Sequence, residues 1–226
     1  MTGFGERWAA HVERIRANWI ATVAPDDVVL VPGDISWRKT LREAVQDLEW
    51  LDALPGRHKV LVKGNHDWWW SRAEKVRAAL PPSLAAVDAD AQLLEAGVIV
   101  AGSKGFVAPP DPYFGESDRK AFVRNLRRVQ EALGAAELLK REAPEAPVIV
   151  LIHYPPFTSD GKPTEFSQAI EAAGFVDHCV FGHFHFEEEW KACPQGPHNG
   201  VTYWLGSADY LQFAPIEILT LSHQPT

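Results

Sequence analysis

Four short apolar runs in this chain each end in residues able to do chemistry. Asp27–Pro32 (DVVLVP) ends in Gly33-Asp34, and Lys59–Val62 runs through Lys63 into Gly64-Asn65-His66-Asp67. Val148–Ile152 ends in His153, and Cys179–Phe181 ends in Gly182-His183-Phe184-His185. Short apolar runs with such boundaries read as buried strands. Ligands of open α/β sheets bind outside the carboxyl ends of strands, and glycine permits the sharp departure that brings the next residues close to a ligand. The groups presented are a carboxylate, an amide oxygen and imidazoles. A mixed nitrogen and oxygen set without sulfur suits Zn, Fe, Mn or Ni better than Ca. His183 and His185 are two apart, so on an extended segment they share one side while Phe184 points toward the core. Each residue alone has a plainer reading: Asp34 and the GNHD stretch as Asx turns, His153 as a hydrogen-bonded core histidine. Four such endings in one chain are hard to assign to chance. His58, His178 and His198 read as structural or surface groups, and Glu187–Glu189 as a solvated face.

The elements that must position these groups follow from periodicity. Trp8, Val12, Ile15 and Trp19 recur at helical spacing, which predicts a helix over 6–22. Leu41, Val45 and Leu48 mark a second helix, closed by Pro55-Gly56. Ser71 is a candidate cap for a helix through Leu80, stopped by Pro81-Pro82. Gln92–Leu94 and Val98–Ala101 read as paired strands joined at Gly97. Phe122, Leu126, Val129 and Leu133 define a long helix whose basic residues read as a solvated face. The unbroken apolar run Val148–Ile152 predicts a central strand buried on both sides. Phe166 and Ile170 lie on a short helix, Val201, Tyr203 and Leu205 alternate as a strand, and Ile216, Ile218 and Leu219 predict a last strand. Gly102–Ser117, rich in glycine, proline and aromatics, predicts a mobile loop bordering the site, with Tyr113 or Phe114 near the substrate. No repeat or linker divides the chain, so a single domain over 1–226 is expected. Its class is α/β, with helices covering two packed mixed sheets.

Composition excludes some functions. The net charge of −8, from 22 basic and 30 acidic residues, argues against a chain that wraps nucleic acid through a basic face. Nucleic acid is therefore expected only as a possible substrate. A small phosphorylated substrate fits, because a metal supplies positive field locally. Two cysteines without a CxxC make a disulfide framework or a cysteine zinc site unexpected. No apolar run approaches a membrane span and the first residues carry no secretory signal, so a cytoplasmic location is expected. Nothing in the sequence specifies an oligomeric state.

The ordered strings GDISW, GNHDWWW, HYPPF and FGHFH resemble those of the calcineurin-like metallophosphoesterase superfamily, most closely its bacterial predicted phosphohydrolases. The resemblance spans nearly the whole chain. It implies a four-layer sandwich of two sheets between helices, and hydrolysis of a phosphodiester or phosphomonoester by a metal-activated hydroxide attacking phosphorus in line. It implies two divalent transition metals. Asp34 would bridge them, Asn65, His153 and His183 would complete one site, and His185 would belong to the other. His66 would act beside the leaving oxygen, oriented by Asp67. The chemistry is coherent, since metals lower the pKa of water and neutralise phosphate charge while an imidazole near neutrality can donate a proton.

The chain departs from the family pattern in one respect. Family members open on a strand ending in Asp-x-His, which completes the site of His185, and no such motif precedes Asp34. The expectation is that this first strand is missing from the chain as given. Either the reading frame starts upstream, or the shortened form is real; in the second case at most one tight metal is expected, at Asp34, Asn65, His153 and His183, with weak or absent hydrolysis. The rival reading is a metal- or ligand-binding module of the same fold. GDISW also lacks the arginine of GDxVDRG, and the GNHD motif ends in Asp67 where dedicated protein phosphatases carry Glu, so that activity is disfavoured.

Overall fold

The computed structural model describes residues 5–221. A 3-10 turn, Glu6–Trp8, leads into helix α1 (His11–Thr22) and strand β1 (Val28–Val31). Helix α2 (Leu41–Asp52) starts at a capping box in which Thr40 and Glu43 satisfy each other's backbone N–H groups. Its Ala44, Leu48 and Leu51 fall on one buried stripe. Then come β2 (His58–Val62), α3 (Ala73–Arg77), β3 (Leu84–Val87), β4 (Asp90–Leu93) and β5 (Ile99–Ser103). The second half runs α4 (Arg119–Glu142), β6 (Val148–Ile152), α5 (Glu165–Ala172), β7 (His178–Phe181), α6 (Glu187–Ala192), β8 (Gly196–His198) and β9 (Val201–Leu205).

The strands form two sheets flanked by helices, as expected. The smaller has order β1-β2-β3 and is parallel; the larger has order β4-β5-β6-β7-β9-β8 and is mixed, with antiparallel pairs at both edges. Alternation along the strands sorts their side chains into three cores. Leu61 of β2 packs with Trp19, Leu48 and Trp70 beneath the early helices. Val60 and Val62 turn the other way and meet Val100, Ile149 and Leu151 between the sheets. Val148, Val150 and Ile152 of β6 face Phe122, Val129 and Phe166 of α4 and α5. The order is thus helices, sheet, sheet, helices. Parallel register then gathers the strand ends. Val31 of β1 pairs with Leu61 of β2, and Leu151 of β6 with Val180 of β7, so the residues following these strands emerge side by side.

Several local expectations are corrected. Helix α3 is only Ala73–Arg77, and extended Arg72, not Ser71, stands at its start without a side-chain cap. Leu84–Val87 forms a strand the sequence pattern hid, because Leu-Ala-Ala-Val is short and weakly β-forming; β3 is held by its parallel ladder to β2. Strand β8 was also not foreseen. It pairs with β9 across Asn199-Gly200, both at positive φ, a two-residue hairpin turn that asparagine and glycine favour. The last strand at Ile216–Leu219 does not form. Pro215 lacks an N–H, and Ile218 and Leu219 pack against the intersheet core from irregular chain.

Candidate metal centre and cleft

The loop after β1 and the loop after β2 interlock so closely that two glycines are obligatory. A Cβ on Gly33, whose φ is +88°, would lie 2.6 Å from His153 Nδ1 and 2.8 Å from the Gly64 Cα. A Cβ on Gly64 would lie 2.0 Å from Asp34 Oδ1 and 2.2 Å from the Asp34 backbone N. Asp34 itself has φ of 55°, a left-handed conformation uncommon for a residue with a side chain. Its Oδ1 accepts the His66 backbone N–H at 2.8 Å. The strain is held in place by the surrounding turn, as at many functional sites.

His153 is 1% exposed at the end of β6, and its Nδ1–H donates to the Pro32 carbonyl at 2.8 Å. Its Nε2 therefore carries a lone pair, which faces Asn65 Oδ1 at 2.7 Å and His183 Nδ1 at 3.2 Å. His183 Nδ1 is 3.0 Å from the same Asn65 oxygen, and Asp34 Oδ1 is 3.7 Å from His153 Nε2. Burial pushes the pKa of His153 and of His183 down to about 3, so both rings are neutral near pH 7. Two facing lone pairs repel unless both are shared with a cation. Ligands on one ion at bond lengths of about 2.0–2.2 Å stand roughly 3 Å apart, as these atoms do. Counting only His, Cys, Asp and Glu, no group of three among the described residues is spaced to hold an ion. The Asn65 amide oxygen links His153 and His183, and Asp34 joins them through His153, in one cluster. These nitrogen and oxygen donors are of the kind that could hold a divalent metal.

His185 lies elsewhere in the same cleft. His183 has φ of 73° and the Phe184 N–H bonds the Gly182 carbonyl, so the segment is a turn and not the extended run expected. Phe184 nonetheless reaches the core, at 5% exposure. His185 Nδ1 pairs with Asp209 Oδ1 at 2.8 Å. The other oxygen of this buried carboxylate meets Arg7 Nη2 at 3.2 Å and the Trp8 indole N–H at 3.3 Å. Glu189 accepts the backbone N–H groups of His185 and Phe186. Glu187 and Glu188 are exposed, as expected of a solvated face, whereas Glu189 holds this turn.

Asp67 also differs from expectation. Its carboxylate, fully buried, accepts N–H groups from Ser36 at 2.9 Å, Gly64 at 2.8 Å and the Trp69 indole at 3.0 Å. It fixes the turn that carries His66, and does not orient the His66 ring. Burial raises its pKa to about 6 against these hydrogen bonds. The His66 ring is instead stacked on Trp37, with centroids 4.2 Å apart and planes within 15°, and its Nδ1 is buried without a hydrogen-bond partner.

Asp34, His66, His183 and His185 open onto one cleft of about 430 Å³, walled by Val107, Ala108, Asp111 and Tyr113, by Tyr154 and Phe157, and by Phe184 and Phe186. Tyr113 lines it, while Phe114 packs edge-on against Phe122 of α4. Burial pushes the Tyr154 phenol up to about 12, so it remains a donor. Asp209 and Tyr154 were missed in the sequence. Tyr154 directly follows His153, and Leu205-Gly206-Ser207-Ala208-Asp209 repeats the pattern of a strand, a glycine and an acid. No helix among the described residues is long and apolar enough to cross a membrane.

A search of curated proteins finds no match to this chain. A family model, described as calcineurin-like phosphoesterase, matches residues 6–187, and the chain belongs to that family of metal-dependent phosphoester hydrolases.

Proposed function

We propose that this chain hydrolyses a small phosphoester with one tightly held divalent transition metal, drawn from Mn, Fe, Zn or Ni. The observation that carries the reading is the convergence of Asp34 Oδ1, Asn65 Oδ1, His153 Nε2 and His183 Nδ1, a compact set of oxygen and nitrogen donors. A metal held there supplies Lewis-acid activation of water and neutralises phosphate charge. The protein's own groups do the rest. Asp34 carries the one negative charge of the quartet and receives the His66 N–H, so it couples the metal position to the turn bearing His66. Trp37 holds the His66 imidazole flat against its face. In hydrolysis the water oxygen bonds to phosphorus as the ester P–O bond breaks. The departing oxygen keeps the electron pair and takes a proton from His66, and the proton lost by water restores it. The Tyr154 hydroxyl, protonated at neutral pH, is placed to donate to a phosphate oxygen from the cleft wall. His185, held by Asp209, is assigned to substrate or to a weaker second ion.

The test is metal titration of chelator-treated protein by calorimetry, followed by turnover of bis(p-nitrophenyl) phosphate. One ion per chain at micromolar affinity or tighter, with hydrolysis that depends on it, is expected. No uptake at that level defeats the reading. Uptake without turnover of any phosphoester favours a binding module of the same fold.

A further inference from the structure

We propose that the substrate is a phosphodiester bearing a flat aromatic group, of the kind a nucleoside carries, on each side of the phosphorus. This rests on the hydrolase reading above and names the substrate class for that site.

The His66 ring belongs to two surfaces at once. On one side it lines the cleft whose outer wall carries Tyr113 and Phe186, at 73% and 58% exposure. Tyr113 is placed there by Asp111, which accepts the Tyr113 N–H at 2.8 Å and the Ser159 N–H at 2.6 Å. On the other side His66 stacks on Trp37, and Trp68 meets His66 edgewise at 5.7 Å and lies tilted to Trp37 at 6.4 Å. Trp68 is 54% exposed. A phosphorus atom beside His66 therefore lies between two aromatic walls. A phosphomonoester has one organic group and would leave one wall without a partner. Its dianion would also face the carboxylates of Asp111 and Glu189, which line the cleft. A diester carries one charge and two organic groups.

Charge distinguishes the Trp68 side. Arg38, paired with Asp47 at 3.4 Å, directly follows Trp37, and with Arg42 and Glu43 it lines a shallow groove at the start of α2. Aromatic rings beside arginine side chains are the arrangement that binds a base together with a neighbouring phosphate. The acidic balance of the whole chain opposes a long nucleic-acid track, so the occupant is a short nucleoside diester.

The experiment uses metal-loaded protein and three substrates: a dinucleoside monophosphate, its analogue with both bases removed, and the corresponding nucleoside monophosphate. Stacking of one base changes affinity between about fivefold and a hundredfold. The expected result is a kcat/KM for the dinucleoside at least about tenfold above the abasic analogue and above the monoester. That base preference should shrink toward unity in Trp68→Ala and in Tyr113→Ala, with metal affinity unchanged in both. Equal rates with and without bases, preference for the monoester, or a base preference that survives in both variants overturns the proposal. If no phosphoester turns over, the hydrolase reading has failed on its own account. Calorimetric binding of the dinucleoside and the abasic analogue then decides the walls, and equal affinity overturns them.

Discussion

Gly64→Ala tests the claim that packing of the two loops sets the metal geometry. The added Cβ would stand 2.0 Å from Asp34 Oδ1, 2.8 Å from its Cγ and 2.2 Å from its backbone N. The carboxylate could rotate away, but the backbone nitrogen could not. Reaching ordinary contact at 3.4 Å requires the β1 and β2 loops to separate by about 1 Å. Metal sites tolerate ligand displacements of about 0.2 Å. Rotation of the carboxylate would also break its bond to the His66 N–H. The variant should therefore lose metal affinity by at least about 100-fold, the upper range for disturbed support around ligands. Overpacking should cost about 1–3 kcal/mol of folding stability, which leaves most domains folded. Gly134, inside α4 with nothing near its Cβ position, is the control, and Gly134→Ala should add up to about 1 kcal/mol. Calorimetric metal titration and urea denaturation of both variants decide the matter. A folded Gly64→Ala protein that binds metal as the wild type does would refute the steric reasoning.

Asp34→Asn should remove both metal binding and activity, whereas His66→Asn should lower turnover by about 10²–10⁴-fold with metal content nearly intact; equal metal loss in the two, by elemental analysis, would make His66 a ligand. Lys59 is 1% exposed, and its ammonium donates to the Asp52 carbonyl and to Ser83 Oγ. Burial lowers its pKa, although Asp52 opposes this. Since the unfolded chain then holds more protons, stability should rise with pH from the lowered folded value up to the ordinary lysine range. The urea midpoint of wild type relative to Lys59→Met should increase between neutral pH and about pH 10, and a constant difference would contradict the argument. Cys179 and Cys193 are buried, and burial raises both thiol pKa values, that of Cys193 to about 12. Neither should react with a chromogenic disulfide at pH 8 until the protein is unfolded, and fast labelling of the native chain would show an opening that exposes them.

That Asp34, Asn65, His153 and His183 meet at the strand ends could be read from sequence because the cause is local. A parallel strand that ends in glycine must turn at once, and Gly33 and Gly64 are needed where each loop meets the other. The same punctuation follows β9, where Gly206-Ser207-Ala208-Asp209 delivers the carboxylate that holds His185. It escaped notice because its partner is 24 residues away and its neighbours resemble an ordinary loop. Asp67 misled for the opposite reason. Its adjacency to His66 suggested a pair, yet neighbouring residues in a tight turn point apart, and its carboxylate turned inward to a backbone N–H at Ser36. The layers followed from alternation, but β3 and the failed strand at Ile216–Leu219 did not. One is held by a ladder to β2 that its own residues barely favour, and the other has apolar residues but a proline at its entry. Side chains that face a ligand are announced by the backbone that presents them. Side chains that support them answer to whatever the fold buries nearby, so Trp37 under His66 and Asp209 behind His185 became visible only once the strand ends were brought together.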